Sequence, residues 1–222
     1  MITNPLPAFG HPLPQAGEGL GERVFGERVN MASKPGERKL QILQTVAQML
    51  EQPKGEKITT AALAARLELS EAALYRHFAS KAQMFEGLIE FIEQTVFGLI
   101  NKITQEEKSG LKQAEATVAM LLNFAQKNRG MTRVLIGDAL VNEDERLQQR
   151  INQLLDRIEA TLKQSLRMAA TQGEMGEAVD VGAHANLLLC YVIGRWQQFA
   201  KSGFTRDPAA QWVVQSAILL GK

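Results

Sequence analysis

The chain has 222 residues, 45% of them apolar and 22% charged, and a net charge of +1. That length allows one large or two small domains with a sizeable core, and the near-neutral balance excludes a general polycation. The single cysteine, Cys190, cannot form an internal disulfide and fits a reducing compartment. No apolar run approaches the roughly 18–20 residues of a membrane span.

Residues 1–30 stand apart. They hold four of the seven prolines, five of the eighteen glycines and a near-duplicate, GERVF followed by GERVN. No helical or strand period survives that punctuation. Met31 then opens MASKPGERKLQILQ, which reads as a protein start. The expectation is a disordered or misassigned extension over 1–30, a DNA-binding unit over 31–80, and a helical dimerisation and partner-binding domain over 81–222. With no basic start and apolar core of a signal peptide, the chain is expected in the cytoplasm.

From Met31 onward the pattern is helix after helix. A first helix over 36–51 carries Leu40, Leu43, Val46, Ala47 and Leu50 on one face, and Pro53 and Gly55 end it. Thr59 or Thr60 caps a short second helix, and the turn Glu68-Leu69-Ser70 leads to a third over 71–77. Ser80 with Gln83 forms a capping box for a long fourth helix over 81–104. A fifth follows over 111–127 and a sixth over 131–140. Asn142 with Glu145 suggests a capping box opening a seventh helix that runs to about 171. Asp180 opens an eighth that runs to Lys201. Asp207-Pro208 reads as a cap followed by proline at the first position of a ninth helix ending near Leu220. The fold class is all-α, with about nine helices.

The second and third helices and their tight turn form a helix-turn-helix. Ala61, Leu63, Ala64, Leu67, Leu69, Leu74 and Phe78 can pack them against the first helix. Ser70, Glu71, Ala72, Ala73, Arg76 and His77 are left facing outward, with Tyr75 at the edge. Ala72 and Ala73 are small enough for a helix to sit deep in a major groove, where their methyls can meet thymine methyls. Tyr75, His77 and Lys81 can donate to phosphates, and Thr59 and Thr60 can bond the DNA backbone or a base edge. Residues 31–81 hold eight Lys/Arg against five Asp/Glu, so the basic excess lies where such a surface needs it.

The stretch ITTAALAARLELSEAALYRHFASKAQMF, within residues 39–86, resembles the N-terminal DNA-binding domain of the TetR family. Two residues depart from the family pattern: Glu68 stands where glycine is usual in the turn, and Ala79 where proline is frequent. A left-handed Glu68 costs on the order of 1 kcal/mol relative to glycine. Beyond this domain GLIEFIEQ, RGMTRVLIGDAL and DERLQQRINQLLDRIEATLKQSLR resemble the nucleoid occlusion factors, a TetR-fold group, over about residues 38–170. The resemblance implies a TetR-like fold, with a three-helix helix-turn-helix domain and a C-terminal helical dimerisation domain. It also implies a nucleoid-associated homodimer that binds palindromic sites in double-stranded chromosomal DNA and, when bound, antagonises the tubulin-like division GTPase FtsZ.

The last two helices carry apolar residues on more than one face, which suits a two-fold interface. Leu189, Val192, Trp196, Phe199, Trp212 and Val213 are its expected members. For the division protein, Phe91 and Phe97 on the fourth helix are candidate anchors, and Lys127 and Arg129 could attract an acidic peptide. His11, His77 and His184 show no metal-ligand spacing, and no nucleophile elbow, P-loop or dinucleotide glycine pattern occurs. The reading is a non-enzyme without cofactor or metal and without a membrane partner. The alternative function is a ligand-responsive TetR-type repressor, which needs a pocket in the C-terminal domain.

Overall fold

The computed structural model describes residues 35–52, 58–176 and 178–221. The extension expected over 1–30 and the stop at Pro53 and Gly55 lie outside them. The described residues form nine α-helices and no strand: α1 Pro35–Leu50, α2 Thr60–Arg66, α3 Glu71–Tyr75, α4 Lys81–Glu106, α5 Gly110–Lys127, α6 Arg129–Leu135, α7 Glu145–Thr171, α8 Val181–Lys201 and α9 Trp212–Leu220. A 3₁₀ turn, Asp138–Leu140, lies between α6 and α7. No helix is long and apolar enough to cross a membrane.

The C-terminal body is built around α7. Leu147, Ile151, Leu154, Ile158, Leu162 and Leu166 repeat at helical spacing, and all are buried against α5 and α8. Several polar groups inside this body are matched to one another, although the buried Thr117 hydroxyl on α5 has no hydrogen-bond partner among the described residues. Trp196 donates from Nε1 to the Leu121 carbonyl at 3.1 Å, tying α8 to α5. Ser165 donates to Gln113 Oε1 at 3.1 Å, and Gln113 Nε2 reaches the carbonyls of Thr104 and Glu107. Gly110 starts α5 against α7, where a Cβ would stand 2.2 Å from the Ala169 nitrogen. His184 on α8 donates to the Leu219 carbonyl of α9 at 2.5 Å, and Tyr191 donates to Gln215 at 2.7 Å.

Three local expectations are corrected. The cap of α7 is Asp144, which accepts from the Arg146 amide at 3.0 Å. Asn142 sits outside the helix with φ 65°. The Arg146 guanidinium also bonds the Asp144 carboxylate and holds its pKa down to about 2. A charged cap that gains both partners outcompetes a neutral asparagine. The sixth helix stops at Leu135, and the residues up to Leu140 are taken by the 3₁₀ turn. The ninth starts at Trp212, not at Pro208, because Asp207 spends its carboxylate on the Ala209 amide and closes a turn there.

Most of the residues expected at the dimer face lie inside the single chain. Leu189, Val192, Trp196, Phe199 and Trp212 are all buried in the chain's own core, and only Val213 is exposed, at 86%. The apolar surface left to solvent on these helices is a different stripe: Leu187 and Cys190 on α8, then Val213, Val214 and Ile218 on α9. Both helices are apolar on two sides, so composition alone did not say which side faces inward.

The DNA-binding unit is fixed to this body through α1, which packs on α4 and α6. Ile42, Leu43, Val46, Ala47 and Leu50 fill that contact. At its centre Gly130 approaches so closely that a Cβ would stand 1.9 Å from the Ala47 carbonyl oxygen. Only a residue without a side chain fits between those backbones. Gly130→Ala therefore forces α6 off α1 and should lower the melting temperature by roughly 5–10 °C. A thermal unfolding curve superimposable on the wild type would show that this close approach is not needed.

Candidate nucleic-acid interface

The helix-turn-helix rests on a small core of Leu63, Ala64, Leu67, Leu74 and Phe78, all buried, with Leu69 half-buried. Ala61, expected in that core, is exposed instead. Leu74 anchors α3, a helix of only five residues that would not persist alone.

The turn has the expected strain. Glu68 is left-handed at φ 54°. Around it the Leu69 amide reaches the Ala64 carbonyl at 2.9 Å and the Glu68 amide reaches Ala65 at 3.2 Å. This is the Schellman arrangement, with glutamate at the position glycine usually takes. The hydrogen bonds and the burial of Leu67 hold the turn closed against the backbone cost.

Each hydroxyl has a defined partner. Thr59 Oγ1 caps α2 by accepting from the Ala62 amide at 3.1 Å, and Ser70 Oγ caps α3 by accepting from Ala73 at 3.1 Å. Capping uses only the oxygen, so both hydroxyl hydrogens stay available for a phosphate. Thr60 differs: it donates to the Glu71 carboxylate at 2.6 Å, which joins the two helices of the motif. Thr60 is thus committed to holding the motif together, a role its sequence position did not reveal. Glu71 and Ala72 are exposed on α3 and Ala73 is half-buried. Tyr75 is 44% exposed, Arg76 is exposed and His77 is half-buried. Ser80 caps α4 by accepting from the Gln83 amide at 3.2 Å. Gln83 reaches back to Ala79, one residue before the cap.

Lys81 is not free at the surface. Its ammonium forms an ion pair with Glu143, in the loop before α7, and lies 5.6 Å from the Phe85 ring centroid. A glutamate 62 residues away leaves no periodic signal in the sequence, and this is a second site contact that sequence reasoning missed.

The residues expected at a protein partner are spread out. Phe91 and Phe97 are both half-buried against the core. The Arg157 guanidinium covers Phe97 at 4.0 Å and is itself paired with Glu93. Lys127 is exposed at the end of α5. Arg129 lies 5.8 Å from the Phe204 ring, beside Glu51. Burial pushes the Glu51 carboxyl up, and Arg129 partly offsets this. Two surface cavities have volumes of about 480 and 490 Å³. One is lined by the pairs Lys81–Glu143 and Lys201–Asp138, the other by Thr104, Gln113, Gln164 and Met168. No metal-ligand cluster occurs among the described residues.

If α3 enters the groove with Tyr75 on the backbone, Tyr75→Phe should weaken binding to all duplexes alike and lower the log-log salt slope by about 1 per half-site. Ala73→Glu should abolish sequence-specific binding while leaving the fold intact. Titrations at several salt concentrations check both. An Ala73→Glu chain that still prefers its site would place α3 outside the groove.

Residues 48–88 match the model of bacterial regulatory proteins of the TetR family, and residues 108–222 match that of the SlmA-like tetracyclin-repressor C-terminal domain. The chain is 50% identical to the nucleoid occlusion factor SlmA of Alteromonas mediterranea over 186 residues, which cover 84% of this chain and 95% of the relative. It is 49% identical to that of Idiomarina loihiensis over 194 residues, covering 86% and 99%. Among solved structures, a TetR regulator from Haloarcula marismortui superposes with a TM-score of 0.71 at 15% identity, covering 84% of this chain and 97% of the other. FadR of Bacillus subtilis, in complex with stearoyl-CoA, does so with 0.68 at 14% identity over 82% and 97%. The helix-turn-helix, the nine-helix fold and identity near one half over almost the whole length of these relatives agree: the chain belongs to the TetR family of bacterial regulatory proteins and, within it, to the nucleoid occlusion factors.

Proposed function

We propose that the chain binds palindromic chromosomal sites as a homodimer and, when bound, inhibits assembly of the FtsZ division ring over the nucleoid. One observation carries this reading. The identity to the occlusion factors continues through the C-terminal body, whereas FadR of Bacillus subtilis, solved with stearoyl-CoA, shares only the fold at 14% identity. A shared DNA-binding unit alone would support any TetR-type regulator.

The dimer face in this proposal is the exposed stripe of Leu187, Cys190, Val213, Val214 and Ile218. A two-fold axis through that stripe would bury the same residues from both copies. It would also leave the two helix-turn-helix units to meet successive half-sites about one turn of DNA apart. In this proposal the FtsZ surface lies on α4, α5 and the start of α6, where Lys127 and Arg129 are exposed and Phe91 and Phe97 half-buried. Phe97 lies beneath Arg157, and Arg129 is engaged at Glu51 and Phe204. A cation at Lys127 suits an acidic peptide segment.

The experiment mixes the purified chain, a palindromic duplex and FtsZ with GTP and follows polymer by light scattering. Polymer should fall only when the duplex is present. Lys127→Glu should keep DNA binding and lose the effect. If polymer is untouched with and without DNA, a ligand-responsive repressor becomes the better reading.

The dimer has its own test. Val214→Asp with Ile218→Asp places charge in the stripe without touching the core. The variant should sediment as a monomer and bind the palindrome about 100-fold more weakly, as the second half-site contact is lost. A variant that remains dimeric would move the interface elsewhere.

A further inference from the structure

We infer that Glu143 is an internal competitor of the DNA backbone, holding the Lys81 ammonium at the junction between the DNA-binding unit and the body until a phosphate takes it. This rests on the proposed reading of Lys81 as a phosphate donor. Lys81 is the first residue of α4, directly after the helix-turn-helix and its Ser80 cap. Its ammonium nevertheless turns inward to Glu143. The pair is neither sealed nor fully solvated: the Lys81 side chain is 22% exposed and that of Glu143 14%, on the wall of the cavity of about 480 Å³.

The carboxylate is presented by a fixed piece of backbone. The Glu143 amide bonds the Leu140 carbonyl at 3.0 Å, and the next residue, Asp144, caps α7. Lys201 occupies Asp138, the other carboxylate of the same cavity. Glu143 therefore has Lys81 as its cation, and Lys81 has a four-carbon stem on which to move outward. A phosphate and the Glu143 carboxylate sharing one ammonium would be two anions within two hydrogen-bond lengths of each other. Their repulsion disfavours holding both at once, so each weakens the other's hold on the ammonium. Binding DNA then weakens an ion pair joining α4 to the segment before α7, so occupancy of the DNA-binding unit is felt in the body.

The test titrates the full chain with its palindrome and with an unrelated duplex at several salt concentrations. It compares the wild type with Glu143→Gln, Lys81→Ala and the double variant. Glu143→Gln should bind both duplexes roughly three- to fivefold more tightly per half-site, the scale of a partly exposed charge pair. That gain should vanish in the Lys81→Ala background. If Glu143→Gln folds poorly, Glu143→Asp retracts the carboxylate by one methylene while keeping its charge, and should give a smaller gain of the same sign. Unchanged or weaker binding by the Glu143 variants overturns the inference. So does an equal gain with Lys81 absent, which would reflect only the general field. Lys81→Ala binding with wild-type affinity and salt slope would instead remove the phosphate reading on which the inference rests.

Discussion

The contact on which the molecule depends is the backbone-to-backbone approach of Gly130 to Ala47. It lets α6 lie directly on α1 and so sets the angle at which the DNA-binding unit leaves the body. A two-fold protein reading two half-sites has little freedom in the separation of its recognition helices, since half-sites repeat about every 34–36 Å along the duplex. A loosely hinged unit would lose entropy each time both halves engage. The close seam removes that loss before binding. Leu50 beside it, and Ile42, Val46 and Phe85 in the same core, are buried and keep water from the seam.

Much of the fold was legible because helical period and caps act locally. The α7 stripe, the Ser70 and Ser80 caps and the left-handed Glu68 all follow from residues within a turn or two of one another. The sequence was less informative wherever two local solutions competed. Asp144 won the α7 cap over Asn142 because Arg146 adds charge-assisted bonds, and Asp207 formed a turn rather than a helix start. It was silent on which side of an evenly apolar helix faces inward. Trp196 and Val192 look no different from Leu187 in composition, yet the first two are fully buried and the third is half exposed. Only the packing of α8 against α5 and α7 separates them.

The candidate site was legible as a surface and illegible as a network. That Ala72, Ala73, Tyr75 and Arg76 belong to one outward helix follows from their spacing. That Thr60 is bound to Glu71, and that Arg157 covers Phe97, depends on helices brought together by the whole fold. The same holds for the basic residues generally. Lys81 and Arg129 read as available cations in sequence, but each faces a carboxylate or an aromatic ring contributed from a distant segment. A local count of positive charge therefore overstates what is available to DNA.

These internal pairs bear on how the protein can report that it is bound. Coupling between two regions requires an element with two arrangements that both regions bias. The helix α4 is in contact with both regions. Its first residue follows the helix-turn-helix, its buried face packs on α1, α5 and α7, and Glu93 along it pairs with Arg150 and Arg157 of α7. At 26 residues this helix spans roughly 39 Å, from the DNA-binding unit into the body. If Lys81 meets a phosphate as proposed, the ion pair at its start has to be only as strong as that contact to be exchanged for it. A much stronger pair would prevent DNA binding and a much weaker one would carry no information. A partly exposed pair of the kind Lys81 makes falls between those limits.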